Sequence, residues 1–216
     1  MKINKLKLFI SSVIIILPIF LGIFLWNRLP ESVPSHWNLA GEVDDYMSRG
    51  AAVFLMPLFL LAVHLVCLFA TKCDKGNREQ NEKVFSLLYF ITPAISFLVN
   101  GFIYATALGK TIDVTAVMGI LFGIIFIVIG NYLPKAKRNH TIGIRIPWTL
   151  KSEANWNATH RLAGRVWFAA GFIMLAVSFL SSRIGTAVIL AITLISTAIP
   201  TIYSYRFHKK EKSEAE

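Results

Sequence analysis

The most constraining feature of the sequence is a series of six long runs that contain no Asp, Glu, Lys or Arg. They cover residues 8–26, 51–70, 84–108, 114–133, 166–182 and 184–205. A helix needs about 20 apolar residues to cross the roughly 30 Å hydrocarbon core of a bilayer. In lipid, every backbone amide must be hydrogen-bonded within its own segment, so runs of this length are expected to be helices. The sequence therefore predicts an all-α, polytopic membrane protein with six transmembrane helices.

Composition and charge agree with this prediction. Hydrophobic residues make up 55% of the 216 residues and charged residues 16%, against about 45–50% and about 25% in soluble domains. Eighteen of the 22 Lys and Arg residues fall on the side of the N-terminus when the loops are numbered alternately. Positive residues mark the cytoplasmic side, so both termini are predicted to be cytoplasmic. Basic loops of this kind account for the +10 net charge, and no direct contact with nucleic acid is expected.

Two connections are much longer than the others and divide the chain. Residues 1–72 are predicted to form a two-helix membrane unit with an extracellular loop at 27–50. Residues 73–216 are predicted to form a four-helix membrane unit with a cytoplasmic segment at 131–167. Long ordered loops usually carry function.

The spans contain no acidic residue that could bind a coupling ion or relay a proton, which argues against active transport. Passive or facilitated transport of a small solute remains the alternative, with His64, Asn100 and Asn131 along the pathway. The sequence has no nucleophile elbow, phosphate-binding loop, zinc motif or dinucleotide fingerprint. No enzymatic activity, cofactor or metal is therefore predicted.

The outer loop combines aromatic, hydrogen-bonding and acidic residues. His36, Trp37 and Asn38 are consecutive, and the stretch from Asn38 to Gly41 suits a turn before Asp44. The residues alone are equally compatible with an extracellular recognition loop and with a cap whose aromatic rings lie at the membrane interface.

The inner segment begins where Pro134 stops the fourth helix. Ser152 is placed to cap a new helix, in which Trp156, His160 and Ala163 share one face. This pattern predicts an amphipathic interfacial helix that runs into the fifth span. The residues leave open whether it only anchors that span or also offers a cytoplasmic docking surface.

Both long connections resemble a known family. The inner stretch 131–171 carries Asn-Tyr-Leu-Pro-Lys at 131–135, then Asn139, Gly143, Arg145, Pro147, Trp148 and Thr149, then Trp156, Thr159, His160, Arg161, Gly164 and Arg165. This stretch resembles the signature of the Sdp-type immunity proteins of bacteria. The outer loop resembles the small membrane domain that often precedes that signature.

The resemblance implies a multi-pass plasma-membrane protein that protects the cell from a secreted, sporulation-delaying peptide toxin. It also implies signalling, in which the protein holds a winged-helix autorepressor at the membrane. On this basis the toxin-facing residues are expected to be His36, Trp37, Asn38, Gly41 and Asp44. The cytoplasmic output residues are expected to be Asn139, Gly143, Arg145, Trp148, Trp156, His160, Arg161 and Gly164.

Overall fold

A computed structural model describes residues 3–77, 80, 82–180 and 182–215. Its helices of more than three residues are α1 (Lys5–Phe24), a π-helical turn (Ala51–Leu55), α2 (Met56–Cys73), α3 (Glu82–Ala107), α4 (Val114–Tyr132), α5 (Pro147–Lys151), α6 (Glu153–Val177) and α7 (Ser182–Ala215). Two strands, β1 (Ser32–Trp37) and β2 (Val43–Ser48), lie between α1 and the π-helical turn. Short 3₁₀ turns follow α2 and α4, at Lys75–Asn77 and Leu133–Lys135.

The apolar runs form helices as predicted, and in the described part of the chain five segments are long and apolar enough to cross a membrane. They are Lys5–Phe24, Ala51–Cys73, Glu82–Ala107, Val114–Lys135 and Arg183–Glu214. The predicted fifth span, residues 166–182, lies largely in α6 and is not among the five. The reason is that α6 carries charged residues as far as Arg165 and ends at Val177, so its charge-free part covers only residues 166–177. Six crossings and cytoplasmic termini stay predictions.

Large apolar side chains cover the outside of the helices. Four large apolar side chains on α1, α2 and α7 have exposed fractions of 59–78%: Phe9, Phe24, Phe59 and Leu194. Exposed aliphatic and aromatic side chains in such number are the surface that a bilayer, rather than water, would cover. This surface fits a protein that crosses the membrane several times.

The helices pack in two groups. α3 lies against α1 and α2, and α6 lies between α4 and α7. Contacts between α3 and α4 are sparse by comparison. The division of the chain at residues 72 and 73 stays a prediction.

Glycines bring α4 and α6 into close contact. A Cβ atom on Gly130 would lie 2.9 Å from the carbonyl oxygen of Gly164, and one on Gly123 would lie 2.9 Å from that of Gly171. Small residues allow helix backbones to approach this closely. In lipid there is no hydrophobic driving force between helices, so the van der Waals contacts of this close packing hold the pair together. Gly164, expected to belong to an output surface, is therefore a packing residue within the helix pair.

The all-α prediction is wrong for the outer loop, which folds as an antiparallel hairpin of β1 and β2. Ser32 pairs with Ser48 and Trp37 with Val43, with irregular register between residues 34 and 37. Val33 is fully buried in a cluster that includes Ala52 and Val53. The hairpin forms because its inward residues complete the outer end of the α1–α3 group.

Candidate functional site

The turn of the outer hairpin is built by Asn38 and Gly41. The Asn38 Oδ1 atom accepts hydrogen bonds from the N–H groups of Ala40 (2.8 Å) and Glu42 (3.1 Å). Gly41 has a φ of 82°, in the left-handed region that favours glycine. Asn38 and Gly41 thus shape the hairpin and do not project from it.

Trp37 fastens the hairpin to the membrane helices. Its ring lies 4.7 Å from that of Phe102 on α3, at an angle of 45°. Arg49, just after β2, donates to the carbonyl oxygen of Trp26 (2.9 Å) at the end of α1. The hairpin is therefore held at both ends, and Trp37 is half-buried within this contact.

His36 and Asp44 form the exposed part of the predicted outer site. The His36 Nδ1 atom lies 2.6 Å from the Asp44 Oδ1 atom across the hairpin, and the two side chains are 66% and 42% exposed. Leu39 and Tyr46 beside them are 61% and 56% exposed. The sequence analysis did not include Leu39 in the outer site. An apolar side chain within a predicted turn was the feature that could have identified it.

On the opposite side, Asn139 organises residues 136–146, which we call the inner loop. Its Oδ1 atom accepts hydrogen bonds from the N–H groups of Thr141 (2.8 Å) and Ile142 (2.6 Å). Its Nδ2 atom donates to the carbonyl oxygens of Lys137 (2.7 Å) and Ile142 (2.9 Å). The side chain is buried and shapes the loop from within.

His160 and Trp156 hold the inner loop against α6. The N–H of Ile144 donates to the Nε2 atom of His160 (3.0 Å), and the Nδ1–H of His160 donates to the carbonyl oxygen of Trp156 (2.8 Å). The two rings stack at 4.0 Å, and the Trp156 indole N–H donates to the carbonyl oxygen of Ala136 (2.8 Å). Gly143, with a φ of 107°, passes directly over the His160 ring.

This arrangement requires a neutral imidazole, because the Nε2 atom accepts a hydrogen bond and cannot carry a proton as well. Burial lowers the pKa of His160 to about 4, although its hydrogen bond to the Trp156 carbonyl oxygen acts in the opposite direction. His160 lies before the apolar part of α6, outside the predicted span. At neutral pH His160 therefore has a structural role: it holds the inner loop against α6 and has no proton to donate from Nε2.

Arg145 and Arg161 are the exposed members of the predicted inner site. The Arg145 Nη1 atom donates to the carbonyl oxygen of His140 (2.8 Å). Trp148 is half-buried, with its ring 5.4 Å from Tyr205 and 6.3 Å from His208 on α7. Of the eight predicted residues, Asn139, Trp156, His160 and Gly164 are buried, so the exposed chemistry is that of the two arginines.

Sequence reasoning missed a set of polar residues after α2 that bind the inner loop. Asp74 accepts from the His140 N–H (2.7 Å) and the Thr141 hydroxyl (3.1 Å). Asn77 donates to the Thr141 Oγ1 atom (2.6 Å) and to the carbonyl oxygen of Thr71 (3.0 Å). Gln80 exchanges hydrogen bonds with the backbone of residue 137. We call Asp74, Asn77 and Gln80 the clasp.

Hydrogen bonds from neighbouring residues keep Asp74 ionised. Burial alone raises the pKa of its carboxyl group, but hydrogen bonds from the Gly76 N–H, the His140 N–H and the Thr141 hydroxyl lower it by more. The net pKa lies below the usual value, as expected for a carboxylate that accepts several hydrogen bonds. The charge of Asp74 therefore contributes to holding the inner loop.

The residues considered for a transport pathway lie apart in separate contacts. His64 bonds Ser11 of α1 (2.9 Å), Asn100 donates to the carbonyl oxygen of Ser96 in its own helix (2.8 Å), and Asn131 is exposed. Within the described residues, no group of three or more His, Cys, Asp or Glu side chains could hold a metal ion.

Comparisons with known proteins agree with the resemblance of both long segments. Residues 135–204 match the model of the SdpI/YfhL protein family, and residues 13–61 match a domain of unknown function, DUF1648. The chain is 28% identical over 208 residues to Immunity protein SdpI of Bacillus subtilis (strain 168), covering 94% of this chain and 97% of that relative. No solved structure is significantly similar to the chain. The resemblance to the Sdp-type immunity proteins is thus confirmed over nearly the whole length of this chain, which is a multi-pass bacterial membrane protein.

Proposed function

We propose that this protein protects its cell from a secreted peptide toxin of the sporulation-delaying type. The observation that carries the proposal is the similarity to Immunity protein SdpI, which extends through both the outer hairpin and the inner segment. Both long connections within that similarity are ordered structures. One is a compact hairpin held on the helix ends, and the other is a loop held by the clasp and by α6.

The hairpin is the surface that first meets the toxin. Its exposed charges include Glu31, Glu42, Asp44 and Asp45, which favours a peptide with positive charge. Leu39 and Tyr46 add exposed apolar area beside them, and a hydrophobic peptide would bury that area on contact. The contact residues are then His36 and Asp44, while Trp37, Asn38 and Gly41 maintain the shape of the hairpin.

Survival under toxin challenge tests this role. The double variant His36→Ala/Asp44→Ala removes the exposed pair and leaves the Trp37 contact and the turn in place. We expect this variant to lose protection at equal expression, while Lys110→Ala, an exposed change in the neighbouring outer loop, keeps it. Full survival of cells with the double variant would show that the hairpin pair does not face the toxin.

The inner segment is the output surface, which holds a winged-helix autorepressor at the membrane. Arginine and aromatic residues are enriched among the residues that dominate protein interfaces. Arg145 and Arg161 are exposed, and Trp148 is half-buried, with its ring against Tyr205 of α7. The buried His160, Trp156 and Asn139 fix the backbone that presents them.

Localisation of a fluorescent repressor in toxin-treated cells tests the output role. Arg145→Ala/Arg161→Ala is expected to leave the repressor in the cytosol. Lys5→Ala/Lys72→Ala removes the same amount of positive charge elsewhere and is expected to leave recruitment intact. A repressor that stays at the membrane in the arginine variant, with both variants equally expressed, would contradict the assignment.

A further inference from the structure

A cavity of about 530 Å³ lies between the two helix groups, next to the inner loop. Its volume is within the range of about 300–1,000 Å³ that is typical of small-molecule sites. Lining residues come from α2, α3, α4, α6 and the inner loop, among them Ala70, Leu88, Ile91, Ile129, Tyr132 and Arg145. The cavity thus fills the space where α3 and α4 make few contacts.

The cavity opens sideways, towards the surface that lipid would cover. Val66 lines it and is 66% exposed on the outside of α2, so one wall reaches the surface that lipid would cover. On α3 the lining runs from Val84 to Ile91, which is about 10 Å along a helix. Half of the hydrocarbon core of a bilayer is about 15 Å thick, so a lining of this length fits within a single leaflet.

One end of the cavity is apolar and the other is cationic. Among the described residues that line it, Arg145 alone is charged, and its hydrogen bond to the carbonyl oxygen of His140 uses a single guanidinium nitrogen. Lys135 lies 4.6 Å above the ring of Tyr132, another lining residue, and adds a second cation at the same end. Thr141 supplies a hydroxyl group there.

We propose that this cavity binds one anionic phospholipid from the adjacent leaflet. An acyl chain occupies the apolar part between α2, α3 and α4, and the phosphate lies against Arg145 and Lys135. Arginine binds phosphate oxygens with paired N–H groups in a fixed geometry, so the charged end selects an anionic headgroup. The bound lipid would fill the gap between the two helix groups. This proposal does not rest on the proposed immunity function.

Lipid retention by the purified full-length protein tests the site. The protein is incorporated into nanodiscs of equal phosphatidylglycerol and phosphatidylcholine, re-extracted in mild detergent, and examined by native mass spectrometry. The wild-type chain is expected to retain one phosphatidylglycerol. Arg145→Gln is expected to weaken retention about fivefold, the effect of one cation near an anionic lipid. Ala70→Trp, which fills the apolar part, is expected to abolish it.

Arg165→Gln is the matched control, because Arg165 is exposed on α6 and does not line the cavity; it is expected to retain lipid like the wild type. Size-exclusion elution checks that each variant is folded. Equal retention of the two lipids by the wild type, or unchanged retention in both cavity variants, would overturn the proposal. Loss of toxin protection in Ala70→Trp with normal lipid retention would overturn it as well, because the cavity would then bind the peptide.

Discussion

The protonation of His160 gives a quantitative test of how the inner loop is held. In the folded protein the Nε2 atom accepts the N–H of Ile144, and burial lowers the pKa to about 4. In the unfolded chain the pKa returns to about 6.5. The folded form therefore resists protonation, and the unfolded chain binds more protons between pH 6.5 and 4. Stability is fully present above pH 6.5 and falls as the pH is lowered through this window.

The size of the effect follows from the two pKa values. The complete loss, reached below pH 4, is about 3 kcal/mol, and about 1 kcal/mol of it is lost by pH 5.5. For a chain of this length, 1 kcal/mol corresponds to a change of about 2–4 °C in the melting temperature. The prediction is a fall of that order between pH 7.5 and 5.5 that is attributable to His160.

The assay compares wild type with His160→Gln, which cannot titrate, by thermal unfolding in detergent at several pH values. Other ionisable groups act equally in both proteins, so the difference in melting temperature isolates His160. We expect wild type to be more stable at pH 7.5 and the difference to shrink towards pH 5.5. Parallel curves over this range would refute the argument that His160 is a neutral pin.

Three further predictions concern the same region. Gly143→Ala is expected to cost about 1–3 kcal/mol of stability, because the residue has a positive φ; Gly101→Ala, with open space around it, is the control that should leave the melting temperature unchanged or raise it. Trp156→Phe leaves the buried carbonyl oxygen of Ala136 without its indole donor and is expected to cost about 1–3 kcal/mol in the same assay. Asn77→Ala is expected to speed hydrogen exchange in the inner loop with little change elsewhere, because it removes one arm of the clasp; unchanged exchange there would contradict the clasp.

Hydropathy alone was enough to predict the long helices, because lipid permits few alternatives to a helix over a 20-residue apolar run. Ser152 was also identified correctly as the cap of α6, and its hydroxyl accepts the Asn155 N–H at 3.1 Å. Local chemistry of this kind is visible in a short stretch of sequence. The hairpin could not be predicted in this way, because Pro34 and the irregular register hide the alternation of residues that is typical of strands.

The site residues show a similar division. Sequence patterns found His160 and Trp156, but not that these side chains face inwards and pin the inner loop. The clasp joins residues more than 55 positions apart, such as Asp74 and His140. Hydrogen bonds at such separations depend on how the two helix groups come together, which no local pattern encodes. The resemblance identified the segments, and the geometry divided them into framework and exposed residues.

Both proposed roles require the outer hairpin and the inner loop to lie on opposite faces of the membrane. Cysteine labelling tests this directly in a background with Cys67 and Cys73, the free thiols of the described chain, replaced by serine. A membrane-impermeant thiol reagent is predicted to label Tyr46→Cys in intact cells and Lys151→Cys only after the cells are permeabilised. Labelling of Lys151→Cys in intact cells would place the end of the inner segment outside the cell and would contradict both roles.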